Sequence, residues 1–338
     1  MIEYETSVFK DKLKKLVIAS KGSNILYFDH DVMTINSFDL RVDVDFECET
    51  PFVTVFNDLY SYISKLKTSK FTMEPKGDHL IIKADRRKTI INLLKLDVDT
   101  FPEKLEIDKS ENISLVEQFD GMIKLFKSVN RKDATDLISQ TVFFQDNKAM
   151  FSDKAIIVIK EFDISFETDF AMKLDNLKKL KNYSISSIQL NNERLQCSFE
   201  DGTITFGTIN YSKTPPFNDA IKRLVDLKRY NFPMEFYNDI GEFATVLKTF
   251  EGISCVEFKV GSDCTIVTSS NHAGTVEIKY EVNNEYECEF FIDLKYLPPE
   301  YIMNDAVIEI VPANNTHVLK VYNEAEKTTM VVMGRLTQ

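Results

Sequence analysis

Two spacings of apolar residues alternate along the chain. Residues 41–49 set Val42, Val44, Phe46 and Cys48 between Asp43, Asp45, Glu47 and Glu49. Residues 275–282 set Val276, Ile278, Tyr280 and Val282 between Glu277, Lys279 and Glu281, and residues 285–290 repeat the pattern with Tyr286, Cys288 and Phe290. A period of two predicts half-buried antiparallel strands, each turning an apolar row to a core and a charged row to solvent. Elsewhere apolar residues recur at i, i+3, i+4 and i+7, which predicts amphipathic helices. These cover about 7–20 (Phe9, Leu13, Leu16), about 55–67 (Phe56, Leu59, Ile63) and about 115–130 (Phe119, Ile123, Phe126). Three more fall at about 169–181 (Phe170, Leu174, Leu177), about 238–250 (Ile240, Phe243, Leu247) and about 291–297, the last running toward Pro298-Pro299, which should stop it. Six helices, each followed by strands, predict a half-unit of about 55 residues used six times.

A longer period overlies this one. Phe46-Glu47-Cys48, Phe166-Glu167-Thr168 and Tyr286-Glu287-Cys288 recur 120 residues apart, each just before a predicted helix. A strand, a polar turn and a strand opening on Thr recur at 79–89, 193–203 and 317–329. Thr100-Phe101-Pro102 and Thr214-Pro215-Pro216-Phe217 follow the first two copies as breaks. These features predict an α+β chain of three tandem domains, 1–109, 110–226 and 227–338, each made of two helix-plus-antiparallel-strand half-units.

Composition is that of a globular protein: 338 residues, 43% hydrophobic, with 26 Phe and 13 Tyr. The net charge of −12 argues against a polyanion partner until it is divided along the chain. Lys10, Lys12, Lys14, Lys15 and Lys21 against Asp11 give residues 7–21 a net +4. Lys65, Lys67 and Lys70 against Asp58 give 57–70 a net +2, and Lys124, Lys127, Arg131 and Lys132 against Glu117 and Asp120 give 115–132 the same. Lys173, Lys178, Lys179 and Lys181 against Asp175 give 170–182 a net +3, while 239–250 and 291–304 carry −1 each. The helical windows thus sum to +9 and leave −21 on strands and loops. A helix preference for Lys would produce part of this split. A functional basic helical face explains it better, and without interleaved aromatic platforms such a face suits duplex phosphates rather than bases.

Phosphate-loop, dinucleotide, zinc-protease and nucleophile-elbow signatures are missing, so no enzyme and no cofactor or metal is expected. His30 between Asp29 and Asp31 is read as a polar turn. The five cysteines form no CxxC pair and are read as reduced thiols. With no basic-then-apolar leader and no apolar run near 18 residues, a cytoplasmic protein without membrane contact is expected.

The repeat, the basic helices and the final segment Met330-Val331-Val332-Met333-Gly334-Arg335-Leu336 resemble the bacterial-type DNA polymerase sliding clamp (beta subunit) family, in the small form that phages carry. That family's closing strand has a proline where this chain has Gly334. Ser152-Asp153 through Ile157 resembles a Thr-Asp-Gly-His-Arg-Leu segment that keeps the Asp and loses the Gly, His and Arg. The resemblance implies a head-to-tail homodimer closing into a ring, helices inside and sheets outside, around double-stranded DNA. It implies a processivity factor that tethers a DNA polymerase and is placed by a clamp loader. Lumen residues would be Lys10, Lys14, Lys15, Lys21, Lys65, Lys124, Lys127, Arg131, Lys173, Lys178 and Lys179. A partner-peptide cleft would use Ile156, Ile157, Ile221, Val331, Val332, Met333, Arg335 and Leu336. A non-ring or trimeric factor of related fold is the alternative.

Overall fold

The computed structural model describes residues 2–95, 101–102, 113–129, 137–153, 155–166, 169–190, 194–209, 215, 217–222, 230–231, 239, 255–262, 264–271, 274–281, 287–293, 296, 306–313 and 316–334. One order of elements recurs. β1 (Ile2–Glu5), α1 (Thr6–Ser20), β2 (Ile25–Phe28), β3 (Val32–Asn36) and β4 (Leu40–Asp45) precede β5 (Phe52–Val55), α2 (Phe56–Ile63), β6 (Lys70–Lys76), β7 (His79–Ala84) and β8 (Arg87–Asn92). Then come α3 (Ile113–Val129), β9 (Thr141–Gln145), β10 (Lys148–Ser152) and β11 (Ile156–Glu161). β12 (Phe170–Lys173), α4 (Leu174–Lys179), β13 (Ile185–Leu190), β14 (Arg194–Phe199) and β15 (Gly202–Gly207) follow. The last third holds α5 (Phe217–Lys222), β16 (Tyr230–Asn231), β17 (Cys255–Val260), β18 (Cys264–Asn271) and β19 (Gly274–Glu281). It ends with β20 (Cys288–Asp293), β21 (Val307–Ala313), β22 (Thr316–Asn323) and β23 (Thr328–Met333).

The three hairpins, β7–β8, β14–β15 and β22–β23, are strands as expected, and so are 41–45, 275–281 and 288–290 of the alternating segments, but 46–49 leaves the ladder after Asp45. Two expected helices are not where the spacing put them. The helix of 169–181 begins only at Leu174, because Phe170, Ala171 and Met172 are buried on both faces of β12 and paired with β9. Residues 291–293 belong to β20, where Phe290 and Ile292 alternate inward. The recurring aromatic tripeptides therefore lead into a strand, β5, β12 or β20 (the last begins at Cys288 itself), rather than a helix. The expected helix of 238–250 lies outside the described residues apart from residue 239. Asp43, expected in solvent, is 5% exposed beside β15, and its charge is met by Arg41 Nε, which donates to both of its oxygens at 2.8 Å, and by Thr34 Oγ1, which donates at 2.6 Å.

The chain divides into two compact units, residues 1–117 with 175–210, and residues 118–174 with 211–338. The first holds the sheets β1-β6-β7-β8 and β13-β14-β15-β4-β3-β2-β5. The second holds β12-β9-β10-β11-β23-β22-β21-β16 and β19-β18-β17-β20. α1 turns Phe9, Leu13, Leu16 and Ala19 onto β3 and β4 and also meets α2.

In three of the sheets the terminal strand is an exchanged one: β5 pairs with β2, β12 with β9 and β20 with β17. At each exchange a phenylalanine faces a phenylalanine. Phe28 stacks on Phe52 at 4.2 Å, Phe144 on Phe170 at 4.5 Å and Phe258 on Phe290 at 4.9 Å, all six buried. These stacked pairs add to plain burial, and the spacing of charged residues does not disclose them.

Distant segments join the large sheets. β4 pairs with β15 through Leu40–Phe206, Val42–Ile204 and Val44–Gly202. β11 pairs with β23 through Ile156–Val332, Val158–Met330 and Lys160–Thr328. Gly202 is required, since a Cβ there would run into the Asp43 carbonyl oxygen. Lys160 is buried at the matching end of β11, where its ammonium donates to the Glu326 backbone oxygen and lies 3.5 Å from the Glu326 carboxylate. Burial pulls its pKa down while Glu326 opposes the shift.

Truncating a stacked ring leaves a cavity in a closed core. Phe144→Ala should destabilise the second unit by about 3–5 kcal/mol, read as a lower urea midpoint.

Candidate functional site

The helical cations fall into two sets. Lys14, Lys21, Lys65 and Lys124 are exposed, and Lys14 shares its charge with Asp11 at 2.7 Å. Lys10 and Lys14 lie one turn apart on the flank of α1 away from Phe9 and Leu13, with Lys10 Nζ donating to the Leu66 backbone oxygen at 2.6 Å. Lys15 belongs to the opposite flank. It pairs with Asp201 and sits 5.5 Å over the Phe199 ring, so its charge is committed inside the first unit. Lys12 is held the same way by the Asp45 backbone oxygen, with Asp201 at 3.9 Å. On α4, Lys178 pairs with Asp175 at 3.0 Å and Lys179 donates to Asn176 at 2.9 Å. Lys173 is exposed at the end of β12 rather than on a helix. The Lys127 side chain and Arg131 lie outside the described residues.

The apolar set is divided between the two faces of one sheet. On β11, Ile156 and Val158 fall on one face, Ile157 and Ile159 on the other. The first is the α3 face: Val158 opposes Phe151, whose ring meets Phe126 at 5.7 Å. Ile156 and Val332 are cross-strand partners there, both at 0% exposure. The other face carries Ile157 opposite Val331, with Met150 and Phe143 beyond Ile159. Phe143 meets Phe217 of α5 at 5.6 Å, so the short helix that contains Ile221 lies on the Ile157–Val331 face. Met333 shares that face and is 42% exposed. Arg335 and Leu336 lie outside the described residues.

Three residues that the spacing did not single out shape this region. Asp153 Oδ1 accepts the Ala155 and Ile156 N–H groups at 3.2 Å, and its Oδ2 accepts the buried Tyr296 hydroxyl at 3.0 Å. The aspartate therefore fixes the turn into β11. Gly334 donates its N–H to the His317 backbone oxygen at 2.8 Å, a bond proline cannot make. A Cβ on Gly334 would lie 2.7 Å from that oxygen and 3.0 Å from the Phe290 ring. His317 stacks on Phe290 at 5.5 Å, and burial holds its pKa below the ordinary histidine value. The Ser152–Ile157 segment and the Gly334 step carried the only sequence hints to these contacts.

Among the described residues no three His, Cys, Asp or Glu side chains are grouped to hold a metal ion. His30 lies exposed in the β2–β3 turn, its N–H on Asp29 Oδ1 at 2.8 Å. Cys48 is buried, with its thiol pushed up to about 11. Among the described residues no helix is long and apolar enough to cross a membrane. What the geometry offers is exposed helical cations on each unit and, in the second unit, an apolar face ending at Met333.

No protein-family profile and no curated protein matches the sequence. Solved structures do match. One from Eubacterium rectale, described as a DNA polymerase III beta subunit, has a TM-score of 0.75 at 11% identity, covering 99% of both chains. The DNA polymerase III beta subunit of Pseudomonas aeruginosa gives 0.73 at 11% identity, again over 99% of both. The Helicobacter pylori beta clamp bound to a DNA ligase peptide gives 0.73 at 13% identity and 99% of both. The chain is similar to these proteins over its whole length, and it has the sliding-clamp fold.

Two measurements test this region. Gly334→Ala should cost about 1–3 kcal/mol through the forced contact with the His317 carbonyl, seen as a lower Tm. As pH falls from about 7 to about 5, the unfolded chain binds a proton at position 317 before the folded chain does, so stability should fall. His317→Gln should flatten that part of the stability–pH curve.

Proposed function

We propose that this chain is a non-enzymatic sliding clamp, a processivity factor whose homodimer closes around double-stranded DNA and tethers a DNA polymerase. The observation that carries the reading is the paired-edge rule within the chain. The third strand after a helix finds a partner in a distant segment at β4–β15 and again at β11–β23. Among the described residues the corresponding strands β8 and β19 are terminal strands of their sheets. An open edge of this kind invites pairing with another chain, and Ile90 on β8 is 55% exposed. A head-to-tail dimer pairs the β8 of each protomer with the β19 of the other and leaves no edge of this class open. Three domains, 1–109, 110–226 and 227–338, then make a six-domain ring.

The register of that pairing follows from the two ladders already formed. The stacked phenylalanines align Phe28 with Phe258, and thus Asp43 with Glu277 and Val42 with Val276. The hairpin turns align Gly202 with Arg87, and thus Thr203 with Lys88. Since Thr203 opposes Asp43, Lys88 is set opposite Glu277 of the partner subunit. Opposite charges in that position stabilise a strand pair, and like charges oppose it.

The helices carry the DNA contact. Encirclement prevents dissociation by topology, so Lys14, Lys21, Lys65 and Lys124 need only weak, mobile phosphate contacts. The Ile157–Val331–Met333 face is the proposed seat of partner peptides. The bound DNA ligase peptide of the Helicobacter pylori clamp supports peptide capture by proteins of this fold. A clamp loader opens and places the ring.

The protein should sediment at twice 39.0 kDa and stay on closed circular DNA while sliding off linear DNA; equal retention on linear DNA with free ends overturns encirclement. Charge reversal at Lys14, Lys21, Lys65 and Lys124 should make DNA binding less sensitive to salt, the log–log slope falling by about one for each lysine that had neutralised a phosphate. Lys88→Glu and Glu277→Lys should each weaken the dimer by about two- to fivefold, and the double variant should recover it.

A further inference from the structure

A cavity of about 270 Å³ opens beside β1, which is the terminal strand of its sheet among the described residues. Its floor is made of Ile2, Tyr4, Phe9 and Phe46, and Val8 stands at its mouth 53% exposed. Glu3, Glu5 and Glu47 line it as well. The rim's cations are Lys12, whose ammonium is turned to the Asp45 backbone oxygen, and Lys70, which bridges Glu3 at 3.0 Å and Glu5 at 3.4 Å. Among the described residues no ion pair reaches Glu47, so the rim is net acidic.

The opening is not a general consequence of the fold, because the second unit contains the same position closed. Phe162 follows β11 as Phe46 follows β4, and each backbone N–H bonds into the turn before the preceding strand. Phe119 packs on Phe162 as Phe9 packs on Phe46. There Gln118 stands in the place of Val8 and Asp163 in that of Glu47. The Asp163 N–H donates to Gln118 Oε1 at 2.9 Å, Gln118 Nε2 donates to Asp163 Oδ2 at 2.9 Å, and Lys327 pairs with the same carboxylate. The first unit replaces this polar seal with an apolar residue and an unshared carboxylate.

We infer that the β1 edge docks an extended basic peptide of a partner protein, which adds as a strand beside Ile2–Glu5 and sets an apolar side chain between Val8, Phe9 and Phe46. The cavity lies below the roughly 300–1,000 Å³ of small-molecule sites and is sized for a side-chain anchor. A strand edge supplies main-chain hydrogen bonds, and pockets for alternate side chains supply selectivity. Carboxylates at Glu3 and Glu5 repel strands of their own charge and admit one carrying lysine or arginine. This docking site is independent of ring closure.

The test uses the full chain and an acetylated, amidated Lys-Phe-Lys-Phe-Lys peptide, with its glutamate counterpart as control. The lysine peptide should bind saturably by fluorescence anisotropy and slow hydrogen exchange of the residue 2–5 amides. Val8→Gln and Glu47→Lys, each with an unchanged Tm, should weaken binding at least about tenfold, while Glu324→Lys on an exposed turn of the second unit should not. Equal binding to Val8→Gln, equal binding of the glutamate peptide, or no slowed exchange at residues 2–5 would overturn the assignment. Retention of the same variants on circular DNA reports separately on the clamp reading.

Discussion

Every backbone N–H and C=O group that a strand buries must find a partner, and the architecture follows from that requirement. Within a half-unit the three strands after the helix satisfy one another and leave two open edges. The exchanged strand covers one edge, as β5 covers β2 and β12 covers β9. A remote third strand covers the other, as β15 covers β4 and β23 covers β11. The pairing is tight enough to dictate composition. Gly202 stands where the backbones approach most closely, and Gly334 gives its N–H to a carbonyl that any Cβ would crowd. Helices, core and candidate surfaces all take their places from these ladders, because they fix which residue of each strand faces which way.

The same dependence sets what can be read from the sequence. A strand with one wet and one dry face declares itself by alternation, which is why 275–281 is legible, whereas 41–45 alternates in sequence although Arg41 and Asp43 are both buried. β12 is not legible, because Phe170, Ala171 and Met172 are all buried and carry no alternation. The four-residue interval from Phe170 to Leu174 mimics a helix, whereas Phe170 is held by Phe144 across a ladder. Asp43 is illegible for a related reason: its partners Arg41 and Thr34 are close in sequence, but its burial arises at the joint with β15. The apolar doublets Ile156-Ile157 and Val331-Val332 are visible in the sequence as a pair of pairs. Only register decides that Ile156 and Val332 face α3 while Ile157 and Val331 face α5.

Charge needs the same resolution. A net charge along a helix counts cations whatever they are doing. In residues 7–21, Lys12 and Lys15 are engaged with Asp45 and Asp201, so they hold α1 to the end of β4 and to the β14–β15 turn rather than face a ligand. Lys14 and Lys21 remain on the exposed side. The split between basic helices and acidic strands is therefore partly structural cement and partly available surface. For a contact that topology rather than affinity maintains, a few exposed lysines suffice.

Identities of 11–13% over the full length of these structures fit a fold specified by patterns of pairing. A ladder requires apolar residues on one face, a small residue at a close approach and a stacked ring at an exchange. It does not require particular residues elsewhere. The repeats inside this chain demonstrate the latitude. Asp43 of one ladder has Ile159 as its counterpart in the other, and the Gln118–Asp163 seal has Val8 and Glu47 as its counterpart. Equivalent positions in one polypeptide thus hold opposite chemistry without altering the backbone that carries them. Surfaces can diverge in this way, one docking face at a time, while the edges stay paired.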